Sequence, residues 1–192
     1  HRIITDRECY IFPDTETIDS VEKFITFDVP RVVIHAQSGV RTKDWPYFEQ
    51  LVEELRQIGL ATIQVGGRAD YAVNGVVDLR GKLNWMELAS VIKRSAVFVG
   101  LDSGVSYIAD AVKTPTIVIQ GSTDPVTSGP ISNRVIHLFA KETGYEDCQK
   151  IRCHMNCRHE VNCNTRISVK MVLEEIQKAI ENKTKNIVPV GV

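Results

Sequence analysis

Short β-branched runs alternate with amphipathic stretches along most of this chain, and no other feature restricts its fold as much. Arg31–His35, Ala61–Val65, Val76–Leu79, Ala96–Gly100, Thr116–Ile119 and Arg134–Phe139 read as strands. Phe48, Leu51, Val52, Leu55 and Ile58 fall at helical spacing, with Gly59 as the stop. Trp85, Leu88, Ala89 and Ile92 mark a second helix, and Ser103-Gly104 opens a third that runs to about Val112. A fourth carries Val169, Val172, Leu173, Ile176 and Ile180 on one stripe. Parallel strands cannot be joined by hairpins, so strands separated by helices imply right-handed crossovers and a doubly wound α/β sheet covered on both faces. Asp44-Trp45-Pro46 supplies a candidate cap for the first helix.

The 192 residues suit one such domain, and 43% hydrophobic with 24% charged residues are globular proportions. A net charge of −1 shows no basic excess for nucleic acid, and no apolar run approaches the roughly 20 residues of a membrane span. Membrane contact is expected to be peripheral at most. The first residues, His1-Arg2-Ile3-Ile4-Thr5-Asp6, lack the layout of a secretory leader, which points to a cytoplasmic location. Residues 1–30 are expected to be a linker or the tail of a preceding domain, 31–183 the folded domain and 184–192 a tail. The chain starts without Met and is expected to be a piece of something longer.

Within the domain, residues 141–167 are polar and without periodicity. They hold Cys148, Cys153, Cys157 and Cys163, with His154 and His159 between them. These are the ligand types and short spacings of a tetrahedral thiolate site, although not a C-x2-C pattern. Disulfides or reduced thiols are the alternatives; a chain without an export signal favours a metal, either zinc or iron. Four thiolates leave no open coordination position, so the expected role is structural.

In a doubly wound sheet, ligands bind where the carboxyl ends of strands feed helix N-termini. Four loops at that edge carry suitable chemistry: 35–43 with its hydroxyls and cations, Gly66-Gly67-Arg68-Ala69-Asp70, Gly100-Leu101-Asp102-Ser103-Gly104, and Gly121-Ser122-Thr123-Asp124-Pro125. Hydroxyls and cations at a helix start describe an anion site; each loop alone reads more readily as a turn or a cap, and it is four of them on one edge that point to a ligand. His35 closes an apolar strand and reads as a packed or orienting residue. The fingerprints of dinucleotide dehydrogenases, P-loop NTPases and serine hydrolases are missing.

The order of these motifs resembles the C-terminal half of family 9 glycosyltransferases, the bacterial heptosyltransferases of lipopolysaccharide assembly. His35-Ala36 followed by Lys43-Asp44-Trp45-Pro46 matches the family's opening, and Val65-Gly66-Gly67 its strand end. Asp78-Leu79-Arg80-Gly81-Lys82 with Glu87-Leu88, then Leu101-Asp102-Ser103-Gly104 and Gly121-Ser122-Thr123-Asp124-Pro125, complete the series from about Val32 to Ile180. The resemblance implies one Rossmann-like half of a GT-B enzyme that binds a nucleotide-sugar donor, an ADP-activated heptose or related sugar, destined for lipopolysaccharide or protein. It implies that Gln37, Ser38 and Lys43 face the donor phosphates, that Ser103 and Gly104 offer N–H groups to them, and that Leu83 packs on the base. Asp70 falls near the position that recognises ribose hydroxyls; Asp102 is donor-binding or structural, or else caps its helix.

Tyr107 stands where the family has His; it can donate to phosphate but does not titrate near neutrality. By the same resemblance the catalytic base and acceptor site belong to an N-terminal half, in cis or in trans, so no catalytic residue is assigned here and the chain alone is expected to be inactive. Some relatives that glycosylate autotransporter adhesins hold iron at a similar cysteine run; no organic cofactor is implied. The alternatives are a non-catalytic nucleotide-binding or assembly domain with a structural cysteine–metal knuckle, and another nucleotide-sugar enzyme such as an epimerase. Trp45-Pro46 and Thr123-Asp124-Pro125 speak against the second.

Overall fold

A computed structural model describes residues 9–22, 24–25, 28–125, 127–140 and 163–185. Its elements are α1 (Thr15–Glu22), β1 (Arg31–His35), α2 (Phe48–Gln57), β2 (Ala61–Gln64), β3 (Val77–Asp78), α3 (Trp85–Lys93), β4 (Val97–Leu101), α4 (Gly104–Ala111), β5 (Thr116–Gln120), β6 (Val135–Phe139) and α5 (Val169–Lys185). One-turn 3₁₀ segments cover Arg41–Lys43 and Cys163–Arg166. Six strands form a parallel sheet in the order β3-β2-β1-β4-β5-β6. The chain winds outward from β1 on one side, then returns to lay β4 against β1 and winds the other way.

Alternate side chains of the central strands enter opposite cores, the period of two that a pleated strand imposes. Val32 and Ile34 of β1, with Val97, Val99 and Leu101 of β4, pack against Phe48, Leu51, Val52 and Leu55 of α2 and Val172 and Ile176 of α5. Val33 and Phe98 face the other way, onto Leu88, Ala89 and Ile92 of α3 and Val105 and Ala109 of α4. Burial on both faces explains why these strands read as continuous apolar runs.

The stretch before β1, expected from sequence to be a linker or a tail, contributes to this second core. Val21 of α1 is fully buried, Arg94 reaches Glu22 at 2.6 Å, and Arg31 donates to the Ile25 carbonyl at 3.0 Å. The Ile11 N–H also bonds the Ala111 carbonyl at 3.1 Å.

Asp44 does not cap α2. The helix starts later, with Tyr47 at the N-cap position and no side-chain cap. A residue before proline is pushed out of the α region, so Trp45 cannot take part in a first turn. Trp45 is instead buried edge-on against Tyr47 and Phe48, at ring centroid distances of 5.6 and 5.0 Å, and its Nε1–H donates to the Ile167 carbonyl at 2.7 Å. That bond ties the start of α2 to the segment leading into α5.

Candidate functional site

The order of strands reverses between β1 and β4, and at such a switch point the loops leaving the two strands diverge and leave a crevice at their carboxyl ends. The loop after β1 carries Gln37, Ser38 and Lys43, and the one after β4 carries Asp102, Ser103 and Gly104. Lys43 Nζ donates to Asp102 Oδ2 at 2.9 Å and to the Asp102 carbonyl at 3.3 Å. Only 5% of the Asp102 side chain and 18% of Lys43 are exposed. Ser128 Oγ donates to the same Asp102 oxygen at 2.8 Å. Burial pushes the Asp102 carboxyl upward, but hydrogen bonds from Lys43, Ser128 and Thr123 outweigh it and hold the group below the usual carboxylate range.

Asp102 is thus an ion-pair partner, not a helix cap. Ser103 occupies the N-cap position of α4 but makes no side-chain capping bond. Its Oγ lies 3.1 Å from His35 Nδ1. Among the described residues no side chain bonds the amides of the first turn of α4, and the space where a Gly104 side chain would stand is open. Tyr107, one turn on and half exposed, accepts a bond from the Gly129 N–H at 2.8 Å. Ser38 is folded into a local turn with Val40, and Gln37 accepts from the Tyr71 N–H at 2.7 Å.

Asp70 is held by the Gly67 N–H at 2.8 Å, with its Oδ2 3.5 Å from His35 Nε2. Buried Gln64 fixes the same loop by bonding the Tyr71 carbonyl and the Val73 N–H, and Arg80 bonds the Asp70 carbonyl. Gly66 lies at φ 142°, and a Cβ there would overlap the Asp70 carboxylate and crowd the His35 ring. The close approach needs a glycine.

Beside this polar cluster lies a cleft of about 370 Å³ with mainly apolar walls: Val65, Leu79, Leu83, Leu88 and Val105, with His35 and Gly66 on the polar side. Asn84 caps α3 in a capping box with Glu87, directing the helix start and the exposed Trp85 to the cleft rim. His35 belongs to both parts, lining the cleft while touching Ser103. An apolar slot that shares His35 with the N-terminus of α4, next in the chain to the Asp102 that pairs with Lys43, can take a flat base and an attached anion together.

The structure therefore brings Lys43, Asp102 and Ser103 together and places Leu83 in the adjoining slot. It directs the Gln37 carbonyl and the Tyr107 hydroxyl to backbone amides of neighbouring loops. Sequence reading missed Ser128 and Asn84, and it placed Thr123 in a candidate loop without its bond to Asp102. Asn84 with Glu87 three residues on is a readable cap signal; Ser128 meets Asp102 only through the tertiary fold. Of the four cysteines, Cys148, Cys153 and Cys157 lie outside the described residues. Cys163 lies beside Gly121, next to Asn164, whose amide donates to the Lys43 carbonyl at 2.5 Å. Among the described residues no group of three His, Cys, Asp or Glu can hold a metal, and no helix is long and apolar enough to cross a membrane.

The family model described as glycosyltransferase family 9 (heptosyltransferase) matches residues 13–159. Lipopolysaccharide heptosyltransferase 3 of Escherichia coli K12 is 29% identical over 146 residues, which are 70% of this chain and 40% of that protein. The glycosyltransferase family 9 structure from Veillonella parvula superposes with a TM-score of 0.76 at 19% identity, covering 94% of this chain and 56% of that one. The dodecameric iron-containing heptosyltransferase TibC of enterotoxigenic E. coli, in complex with ADP-D-β-D-heptose, gives a TM-score of 0.66 at 20% identity over 82% of this chain and 47% of its own. The chain thus spans about half the length of these relatives or less, and its fold is the Rossmann-like α/β unit of GT-B glycosyltransferases.

Proposed function

The chain belongs to glycosyltransferase family 9, and from that premise we propose that its sheet edge is the nucleotide-sugar half of a heptosyltransferase. The donor is an ADP-activated heptose or related sugar, and the acceptor a lipopolysaccharide or a protein. The observation that carries the reading is the shared wall at His35: the apolar slot and the Lys43–Ser103 corner adjoin at the switch point. The slot, lined by Leu83, takes the base, and the diphosphate reaches Lys43 and the first amides of α4.

Transfer leaves a nucleoside diphosphate carrying one more negative charge than it had in the donor. An ammonium and oriented N–H groups placed where that charge grows stabilise the transition state more than the ground state. Lys43 reaches the phosphates by exchanging part of its contact with Asp102, whose Ser128 and Thr123 bonds keep the carboxylate satisfied meanwhile. Asp70 and Asp102 are both committed to partners in the chain, which suits binding and positioning more than deprotonation of an acceptor hydroxyl. The base and the acceptor site are assigned to an N-terminal GT-B half. The proposed setting is cytoplasmic, with membrane contact no more than peripheral. A zinc or iron ion on Cys148, Cys153, Cys157 and Cys163 completes the proposal as a structural staple, tested by element analysis of the purified chain.

Calorimetric titration with ADP, UDP and GDP tests the donor site. ADP is expected to bind preferentially, and Lys43→Ala to weaken it by about 1–3 kcal/mol, the range for a hydrogen bond to a charged group. Equal binding of all three, or no binding, overturns the reading.

A further inference from the structure

His35 stands at the end of β1 with one ring nitrogen toward a carboxylate and the other toward a hydroxyl. Nε2 is 3.5 Å from Asp70 Oδ2 and Nδ1 is 3.1 Å from Ser103 Oγ, with 8% of the side chain exposed. Asp70 is held toward the ring, because the Gly67 N–H bonds the same oxygen at 2.8 Å and Gly66, with no Cβ, lets the carboxylate approach. The carboxylate can only accept, so Nε2 carries a hydrogen in either protonation state.

What changes with the proton is therefore Nδ1. In the neutral ring Nδ1 accepts, Ser103 donates to it, and the Ser103 oxygen turns only lone pairs toward the start of α4. In the imidazolium Nδ1–H donates to that oxygen, and the Ser103 O–H is released to donate elsewhere. A phosphate oxygen needs donors, so it selects the second arrangement.

We propose that His35 is a positioning residue that takes up one proton when a diphosphate binds, and that this proton sets the direction of the Ser103 hydroxyl. The inference rests on the donor-site reading above and adds a proton to it. Other charged groups around the ring are already matched. Asp102 of the β4–α4 loop is paired with Lys43 of the β1 loop, and Arg80 sits on the Asp70 carbonyl. Asp44, on the same β1 loop, bonds the Ser38 N–H. Burial lowers the affinity of the unliganded ring for its proton while Asp70 raises it, with burial prevailing. An anion at Ser103 adds a second attraction for the proton and raises that affinity. The sign follows: binding is tightest below the pKa of the free ring and weakens as pH rises through that of the complex.

The probe is ADP-ribose, a diphosphate diester whose phosphates, unlike the terminal phosphate of ADP, do not titrate near neutrality. It is titrated into the 192-residue chain between about pH 5.5 and 8.5, in buffers of different ionisation enthalpy, the window where histidine changes charge. The expected result is net proton uptake and an affinity that falls about tenfold for each unit by which binding raises the His35 pKa. His35→Asn, which keeps a polar group at the Nδ1 position, is expected to bind with neither uptake nor pH dependence. Ser103→Ala leaves the ring in place and is expected to remove most of both, and it decides the matter if the His35 variant does not fold. Binding without uptake, or uptake unchanged in Ser103→Ala, overturns the relay and leaves the donor site standing. Absence of binding at every pH overturns the donor reading and the relay with it.

Discussion

Replacing Lys43 by methionine keeps much of the side chain's volume and removes its charge, leaving the Asp102 carboxylate 5% exposed with hydroxyl partners only. At 2.9 Å and an effective dielectric of 20, the gross attraction being removed is about 6 kcal/mol, most of it already offset by the desolvation of both groups. Orphaning one member of a buried pair costs roughly 3–5 kcal/mol; Ser128, Thr123 and the partial exposure of Lys43 argue for the low end or just below it, about 2–3 kcal/mol. For a domain of this size that corresponds to a drop in Tm of roughly 5–10 °C. The effect also has a pH signature. In the parent the folded carboxyl lies below its unfolded value, so it contributes stability above that value and loses it as pH falls through the folded pKa. Without Lys43 burial prevails and the folded pKa rises above the unfolded one. The variant is then weakest near neutrality and regains ground as Asp102 protonates. Urea unfolding at about pH 7 and pH 4.5 measures both, with Asp102→Asn in the same background as the reference. A difference that is the same at both pH values, or below about 0.5 kcal/mol at neutrality, would refute the argument that Asp102 depends on Lys43.

Two further substitutions test the frame around the site. Gly66→Ala places a methyl group against Asp70 and His35 at a left-handed φ, and is expected to cost about 2–3 kcal/mol and to weaken nucleotide binding; an unchanged melting curve contradicts the close approach. Trp45→Phe keeps an aromatic ring but strands the Ile167 carbonyl, and an expected loss of about 2 kcal/mol in thermal unfolding checks whether that bond anchors α5.

The sheet was legible because its signals are local. Val32, Val33 and Ile34 form an unbroken apolar run since both faces of β1 are covered, and the stripe on α2 repeats with the helix. The carboxyl edge followed from that alternation, and with it the loops worth examining. Less of the site could be read. Lys43 and Asp102 are 59 residues apart and meet only because β4 returns to lie beside β1, an order no periodicity encodes. Asp44 looked like a cap because its spacing was nearly right, but Pro46 moves the helix start onward and frees Asp44 for the Ser38 N–H. The amphipathic run Ile18–Ile25 overlaps α1 but reads as part of a linker or tail, because eight helical residues with one buried valine carry too little apolar surface to show that they pack on the domain. The partners of His35 come from two other loops, so its environment was invisible from its neighbours in the chain.

The cysteine-bearing stretch begins and ends at points fixed by the core. Ala140 is fully buried, and on the far side Asn164 holds the Lys43 carbonyl while Trp45 holds Ile167. Evolutionary drift that reaches Asn164 is therefore felt 121 residues earlier in the chain, since it arrives at the backbone of Lys43 within a single hydrogen bond.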